Sequence, residues 1–483
     1  VHSEILFNPQ VHYILIIEAD VFFNPDRGLM MSKPTDTLNK ATLAVFRFGL
    51  GPRPGTLQRL SATPNAAREA CLAELANPAI AMIPVGDATQ DLERCGRAGA
   101  NNLASSEIRY QEISRRFNKH LEPEVGFVER LVLFWANHFS MHQEKSVPVR
   151  CTIGHFERTV IRRHVLGNFT DMLSAAIAHP AMIGYLDNHT SRATAVNENL
   201  GREILELHTL GSAARYPGRA QNYTQADVEA LARILTGWTV NVSFNAQTGT
   251  PSAAFGQFQF RADIHAERAH TVMGQSFGAA GQAKGLDALK WLASHPNTGE
   301  HIATKLLRHF VCDEPPRAMV DQLRQVFKTS QGNLRELARA LVQMEAAWTA
   351  PPRLRPPHLW LVSQARALGL SADDFKPDQI ESHWQTRLQT LNNGVWYWLT
   401  PDGFPDRDSN WLNPDAIRMR VLVTNQLLRD AEIRGRALPL ADTLRQQLLP
   451  GSSRVTSLAG LQPSVHNRAA LADLFLSSAF MTR

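Results

Sequence analysis

The chain has 483 residues, 44% of them hydrophobic and 20% charged, with 29 Gly and 27 Pro. That composition lies in the globular range and excludes a disordered or collagen-like chain. Fifty basic against 45 acidic residues leave a net charge of +5, too balanced to imply a nucleic-acid-binding protein.

The first apolar stretch, 13–23, is interrupted by Glu18 and Asp20. No run approaches the roughly 18 apolar residues of a membrane-spanning helix. No basic segment followed by an apolar run and a small-residue cleavage site is present, so the expectation is a cytoplasmic protein without a secretory signal. Residues 1–29 read as a dispensable extension ahead of Met30-Met31, the alternative being a strand over VHYILII. Residues 30–483 read as one large helical domain. The four cysteines, Cys71, Cys95, Cys151 and Cys312, form no C-x-x-C pair and do not make a disulfide scaffold in a chain of this size.

Gly49 to Gly55 is rich in glycine but lacks G-x-G-x-x-G spacing, and its two prolines remove donors that a phosphate cradle needs. It reads as a turn after a helix ending near Phe48. Apolar residues three and four apart then predict helices over 108–119, 123–140, 156–179, 197–210, 224–237, 284–294, 298–311, 317–329 and 334–348. Thr224 is an expected N-cap with Asp227 in the first turn, and Gly332-Asn333 breaks the chain before the last of these helices.

In 123–140, His138 shares a face with Leu131, Phe134 and Trp135. His138 and His142 have the i,i+4 spacing of metal ligands. A histidine on an apolar face is more commonly a hydrogen-bonded core residue, so no metal site is expected.

The densest polar segment is 197–208. At 100° per residue, Glu198, Asn199, Arg202, Glu203 and Glu206 occupy one arc of about 140°, opposite Leu200, Ile204 and Leu207. A solvated helix with Glu198–Arg202 and Arg202–Glu206 pairs would look the same. Two asparagines beside Glu198 and the upstream Asp187-Asn188 favour a site, because crowded carboxylates separate acid and base pKa values.

Between Trp238 and Phe277 the pattern turns to alternation, with TVNVSF and FGQFQF, and predicts a small β-hairpin insertion. Gly274 to Gly278 matches G-x-S-x-G. It lacks the strand–turn–helix setting of a nucleophile elbow and reads as a hairpin end. Proline-rich turns follow at 349–357 and 401–405. The fold class is therefore mainly α, with a minor hairpin.

Several segments together give a further resemblance: RFGLGPRPG at 47–55, LVLFWANHF at 131–139, VLGNFTDML at 165–173 and HPAMIGYLDN at 179–188. NENLGREILELHTLG at 197–211, YTQADVEALARILTGW at 223–238, PDGFPD at 401–406 and the terminal LFLSSAF complete the set. The chain resembles the bacterial domain of unknown function 1800 family from about Ala41 to its end. The resemblance implies a mostly helical protein with exported relatives and no settled activity. It also implies a possible partner, a sulfatase-like protein encoded nearby in related bacteria. The chain departs from the family pattern twice. His265-Ala266 and His270 stand where a His-Asp…Lys run is usual, and Arg355-Pro356-Pro357-His358-Leu359 stands where Lys-x-Pro-x-Glu is usual.

Two functional expectations result. One is a hydrolase acting on a glycan or another polar polymer. Its acids and bases would be Asp187, Glu198, Glu203 and Glu206, its proton partners His138 and His208, and its orienting amides Asn137, Asn188, Asn197 and Asn199. Arg202 would hold a neighbouring carboxylate ionised, and Trp135 and Trp238 would form a sugar-binding wall. The other is a non-catalytic helical module for a partner protein or envelope ligand, with the same polar residues as a buried network. A metal- or redox-dependent site at His138 is the weaker third.

Overall fold

The three-and-four spacing of apolar residues is realised as helix along most of the chain. A computed structural model of the protein describes residues 36–83, 94, 102–212, 223–243, 252, 256–371, 384–449 and 463–482. The expected extension at 1–29 and its alternative strand lie outside these residues. The described residues form 21 α-helices and two two-stranded sheets. No described helix is long and apolar enough to cross a membrane.

Buried apolar side chains from Ala41 to Met481 form one continuous cluster. The two ends of the described chain meet in it. Phe46 packs edge-on against Phe480 at 5.6 Å, and the Arg355 guanidinium lies 4.3 and 4.5 Å from the centres of those two rings. A planar cation over aromatic faces is attracted by the ring quadrupole.

Local signals account for many boundaries. Thr224 caps Gln225–Ile234 through a reciprocal box: its backbone N–H donates to Asp227 Oδ2 at 2.7 Å and its hydroxyl accepts from Asp227 N–H at 3.3 Å. Asp227 Oδ1 also accepts the Met273 N–H at 2.6 Å, which ties the hairpin to this helix. The alternating segment forms β1 (Trp238–Val240) and β2 (Phe258–Phe260), paired antiparallel with Trp238 opposite Phe260. A second antiparallel pair joins β3 (His270–Val272) to β4 (Gln275–Phe277). Met273 and Gly274 have φ of +49° and +83°, as a two-residue hairpin turn requires. Ser276 is thus an exposed strand residue, and the G-x-S-x-G motif is the hairpin end.

Two predicted helices are shorter than their periodicity suggested. The run expected over 156–179 is interrupted, and Asn168 caps a new helix, Phe169–Ala178, by accepting Thr170 N–H at 2.9 Å. Asn168 also bridges to Asn333, which caps Leu334–Gln343. That helix ends before Met344 and restarts at Glu345–Thr349, where the Trp348 indole N–H donates to the Val342 carbonyl at 2.7 Å.

Three helices widen into π turns at their C-terminal ends: Ala44–Phe48, Glu157–Arg162 and Ile204–His208. π turns are rare and mark places where an inserted residue re-aims side chains. Each delivers a polar group into the interior: Arg47, the Glu157 and Arg162 pair, and His208. Arg47 illustrates how such a group is held, donating to the carbonyls of Ala347, Ala350 and Pro351 at 2.7–2.8 Å.

Candidate functional site

A cleft of about 90 Å³, partly open to solvent, lies between the Phe127–His138 helix, the end of Pro296–Phe310, the start of Pro357–Ala367 and the loop from Asn393 to Trp411. Its walls mix Trp396, Phe404 and Trp411 with Arg116, Asn137, Ser140, His309, His358, Asn393 and Asp406. Apolar walls with a few convergent polar groups are the usual makeup of a ligand site.

The PDGFPD loop is fixed at both ends. Asn137 donates through Nδ2 to the Phe404 carbonyl at 2.9 Å and accepts the Phe404 N–H at 2.7 Å. Arg353 donates to the Asp406 carbonyl and to Asp408 Oδ1. The Trp411 indole N–H donates to the Pro405 carbonyl at 3.0 Å. Gly403 has φ +80°, and a Cβ there would sit 2.4 Å from the Asn137 carbonyl oxygen. Gly403→Ala is therefore expected to displace the loop, at a cost of about 1–3 kcal/mol for left-handed backbone strain plus the clash. Calorimetry should show a lower Tm, and the loop tryptophans should shift their fluorescence to the red. An unchanged Tm and spectrum would mean that the Asn137 clamp does not set the loop.

The segment just before this loop stores strain. Asn392 and Trp396 have φ of +54° and +51°, uncommon for non-glycine residues and worse for a bulky ring. Buried Gln385 holds this segment, accepting Val395 N–H at 2.9 Å and donating to its carbonyl at 3.3 Å. Gln143 N–H donates to the Trp396 carbonyl at 2.8 Å. Strained backbone persists where its surroundings over-determine it, often at binding sites.

Two histidines reach this pocket, His309 backed by a carboxylate and His358 by a second histidine. His309 Nδ1 lies 3.0 Å from Asp406 Oδ1. A carboxylate at Nδ1 fixes that nitrogen as the donor and leaves Nε2 as the basic nitrogen. His358 Nε2 lies 3.4 Å from His120 Nδ1, and His120 Nε2 lies 3.4 Å from Glu129 Oε2, a charge contact outside hydrogen-bond geometry. Between the two rings, one of the facing nitrogens donates and the other accepts. Burial holds both His120 and His358 well below the ordinary histidine value, so both rings are neutral.

Arg116 connects to the same carboxylates by another route. Its Nη1 lies 3.1 Å from Glu157 Oε2. Glu157 Oε1 accepts from Arg162, which also forks onto both oxygens of Glu129 at 2.6 and 3.1 Å. Arg116, Glu157, Arg162, Glu129, His120 and His358 thus form a buried chain with both ends at the pocket.

The residues singled out from the sequence fall elsewhere, apart from Asn137, whose amide holds the loop. His138 Nε2–H donates to the His208 carbonyl and His208 Nδ1–H to the His138 carbonyl, both at 3.1 Å. Both rings are buried, and burial drives His208 down to about 3. Trp135 and Trp238 are 2% and 0% exposed. The expectation that they wall an open cleft is corrected: they pack in the core, and the tryptophans at the pocket are Trp396 and Trp411.

Asp187 pairs with Lys145 at 2.8 Å. Asn188 donates to the carbonyls of Leu235 and Trp238. Asn197 Oδ1 accepts the Asn199 N–H at 3.0 Å. Glu198 Oε2 accepts from Arg202 at 2.9 Å and Gln225 at 2.7 Å. Glu203 and Glu206 are half-buried. Burial, then Glu203 and Asp402, push the Tyr185 hydroxyl up to about 12. Among the described residues, no three His, Cys, Asp or Glu side chains are placed to hold one metal ion.

The residues that form the pocket come from segments nearly 300 positions apart. PDGFPD, which the sequence marks only as a proline-rich turn, supplies Phe404, Pro405 and Asp406 to it. The departure at Arg355 to Leu359 also enters this wall, through Pro356, His358 and Leu359. No curated protein and no solved structure matches the chain at a significant level. A match to the family described as "Protein of unknown function (DUF1800)" extends over residues 43–482, nearly the whole sequence, and the chain belongs to that family.

Proposed function

We propose that the protein is a hydrolase acting on a glycan or a similar polar polymer, with its chemistry at the pocket beneath the PDGFPD loop. The observation that carries this reading is His309 at 3.0 Å from the Asp406 carboxylate in the wall of a cleft with aromatic sides. His309 acts as general base, taking a proton from the attacking water through Nε2 as the new C–O bond forms, and the imidazolium returns that proton to the leaving-group oxygen as the scissile bond breaks. Asp406 holds the ring in orientation and stabilises the imidazolium that forms. The half-exposed Trp396 offers a flat face to the apolar side of a sugar ring.

Removing a positioned base typically costs about 10²–10⁴-fold in rate. His309→Gln and Asp406→Asn are therefore expected to lower kcat at least 10²-fold, with Tm little changed. Glu203→Gln and Glu206→Gln are expected to retain activity. The assay is product release from a panel of oligosaccharides, followed by mass spectrometry. Equal turnover by wild type and His309→Gln would remove the base from this pocket. Loss of turnover in Glu203→Gln or Glu206→Gln would return the chemistry to the helix-borne carboxylates.

A second reading is a non-catalytic binding or scaffold module. It is favoured by the closed pairing of Glu198 with Arg202, Asp187 with Lys145, and His138 with His208. Such pairs fix helix packing. Binding of an oligosaccharide without any turnover would select this reading.

A further inference from the structure

Arg116 is 6% exposed yet lines the pocket. A guanidinium carries five N–H donors in a planar fork. Its one close charge contact is Nη1 to Glu157 Oε2 at 3.1 Å. Neither that oxygen nor Arg116 Nε has a hydrogen-bond partner among the described residues. Glu157 is moreover shared, because its other oxygen accepts from Arg162. A buried cation in a cleft wall with an unpartnered donor calls for a partner from outside the chain. A carboxylate meets a guanidinium with two parallel bonds and compensates its charge, which a neutral hydroxyl does not do.

The surroundings specify what bears that carboxylate. The Arg116 guanidinium lies 5.6 Å from the centre of the half-exposed Trp396 ring. Trp411 lies in the same wall, and Ser140 and Asn393 supply small polar groups beside it. An apolar flat face, a carboxylate and several hydroxyls on one ring describe an acidic sugar.

We infer that the pocket takes a uronate residue, with its carboxylate on Arg116 and its ring against Trp396. This inference rests on the glycan reading above and names the sugar class. The test is equilibrium binding to the full chain, by ligand-detected NMR and calorimetry, of D-glucuronate, D-glucose and acetate. None of these can be hydrolysed, so the result is separate from the His309 assay. Glucuronate is expected to bind at least ten-fold more tightly than glucose or acetate. Arg116→Gln should reduce it to the level of glucose, as loss of a charge-assisted fork costs about ten- to hundred-fold.

Arg116→Lys keeps a cation beside Glu157 but loses the fork, and should weaken glucuronate about ten-fold. It carries the test if Arg116→Gln does not fold. Equal binding of glucose and glucuronate, binding by neither, or unchanged binding in a folded Arg116 variant would each overturn the inference. Turnover lost in His309→Gln would still stand in those cases.

Discussion

Lowering the pH from 7 to 5 should unfold this protein through its buried histidines. His120, His138, His179, His208 and His358 are all at least nine-tenths buried. Burial holds His120, His138, His179 and His358 well below the ordinary value of 6.5, and His208 at about 3. Neighbouring rings and cations add to the effect: His358 and Arg116 at His120, Lys305 at His138, and His155 at His179.

The sign follows from proton uptake. Above pH 6.5 these histidines are neutral both folded and unfolded, and contribute no pH dependence. Below it the unfolded chain takes up protons that the folded chain refuses, so stability falls with pH until the folded values are reached. Each histidine contributes about 1.4 kcal/mol per pH unit in that window, or about 7 kcal/mol per unit for five. Typical total stabilities are about 5–15 kcal/mol. Glu74, Glu129 and Asp473 oppose this, because burial raises all three carboxyls so that the folded state takes up protons first. Three groups do not offset five. Calorimetric Tm is expected to be flat between pH 8 and 7, to fall steeply below 6.5, and to reach loss of the native state near pH 5. A Tm constant from pH 8 to 5 would show that these rings can be protonated in place.

Those histidines also show how far the sequence can be read. His138 was recognisable as a core residue from Leu131, Phe134 and Trp135 on its face. Its partner was not, because His208 is delivered by a π turn. The arc drawn through Glu198, Arg202 and Glu206 assumes 3.6 residues per turn, which holds only to Glu203; from Ile204 the helix is wider. Periodicity carries no signal for such an inserted residue. Caps and turns were legible because they are local: Thr224 with Asp227, Gly332 with Asn333, and the Met273-Gly274 hairpin.

The pocket was not legible, because it is assembled by tertiary packing. Arg116, His309 and His358 sit on three helices, each within an ordinary amphipathic pattern. Only the loop that joins them to Asp406 had a distinctive sequence. An isolated polar residue on a helix face looks the same whether it meets water, a carbonyl or a cleft.

Replacing Arg162 with methionine should be among the most damaging single substitutions in the chain. Arg162 is 1% exposed, and its guanidinium binds Glu129, Glu157 and the Ala81 carbonyl together. Burial alone would lower its pKa, but the two carboxylates outweigh that and raise it above its ordinary value, so it stays charged. Arg162→Met leaves Glu129 and Glu157 as buried carboxylates, Glu129 without its main partner and Glu157 with Arg116 alone. Removing one member of a buried ion pair costs about 3–5 kcal/mol. The urea midpoint is expected to fall accordingly, with the slope unchanged.

Two comparisons separate a network from a simple pair. An isolated buried pair can be exchanged for apolar residues at little cost. Here Glu129→Leu, Arg162→Met and Glu157→Leu together should remain destabilised, because they leave Arg116 buried at the pocket without its carboxylate. The pH dependence differs too. Without Arg162 the Glu129 carboxyl is pushed further up, so the folded variant binds a proton at a pH where the unfolded chain does not. The deficit of Arg162→Met relative to wild type should therefore shrink as pH falls from 8 towards 6.5, a window in which the buried histidines are silent. A deficit that is constant over that range, or a triple variant as stable as wild type, would mean that Glu129 and Glu157 do not depend on Arg162 for their charge.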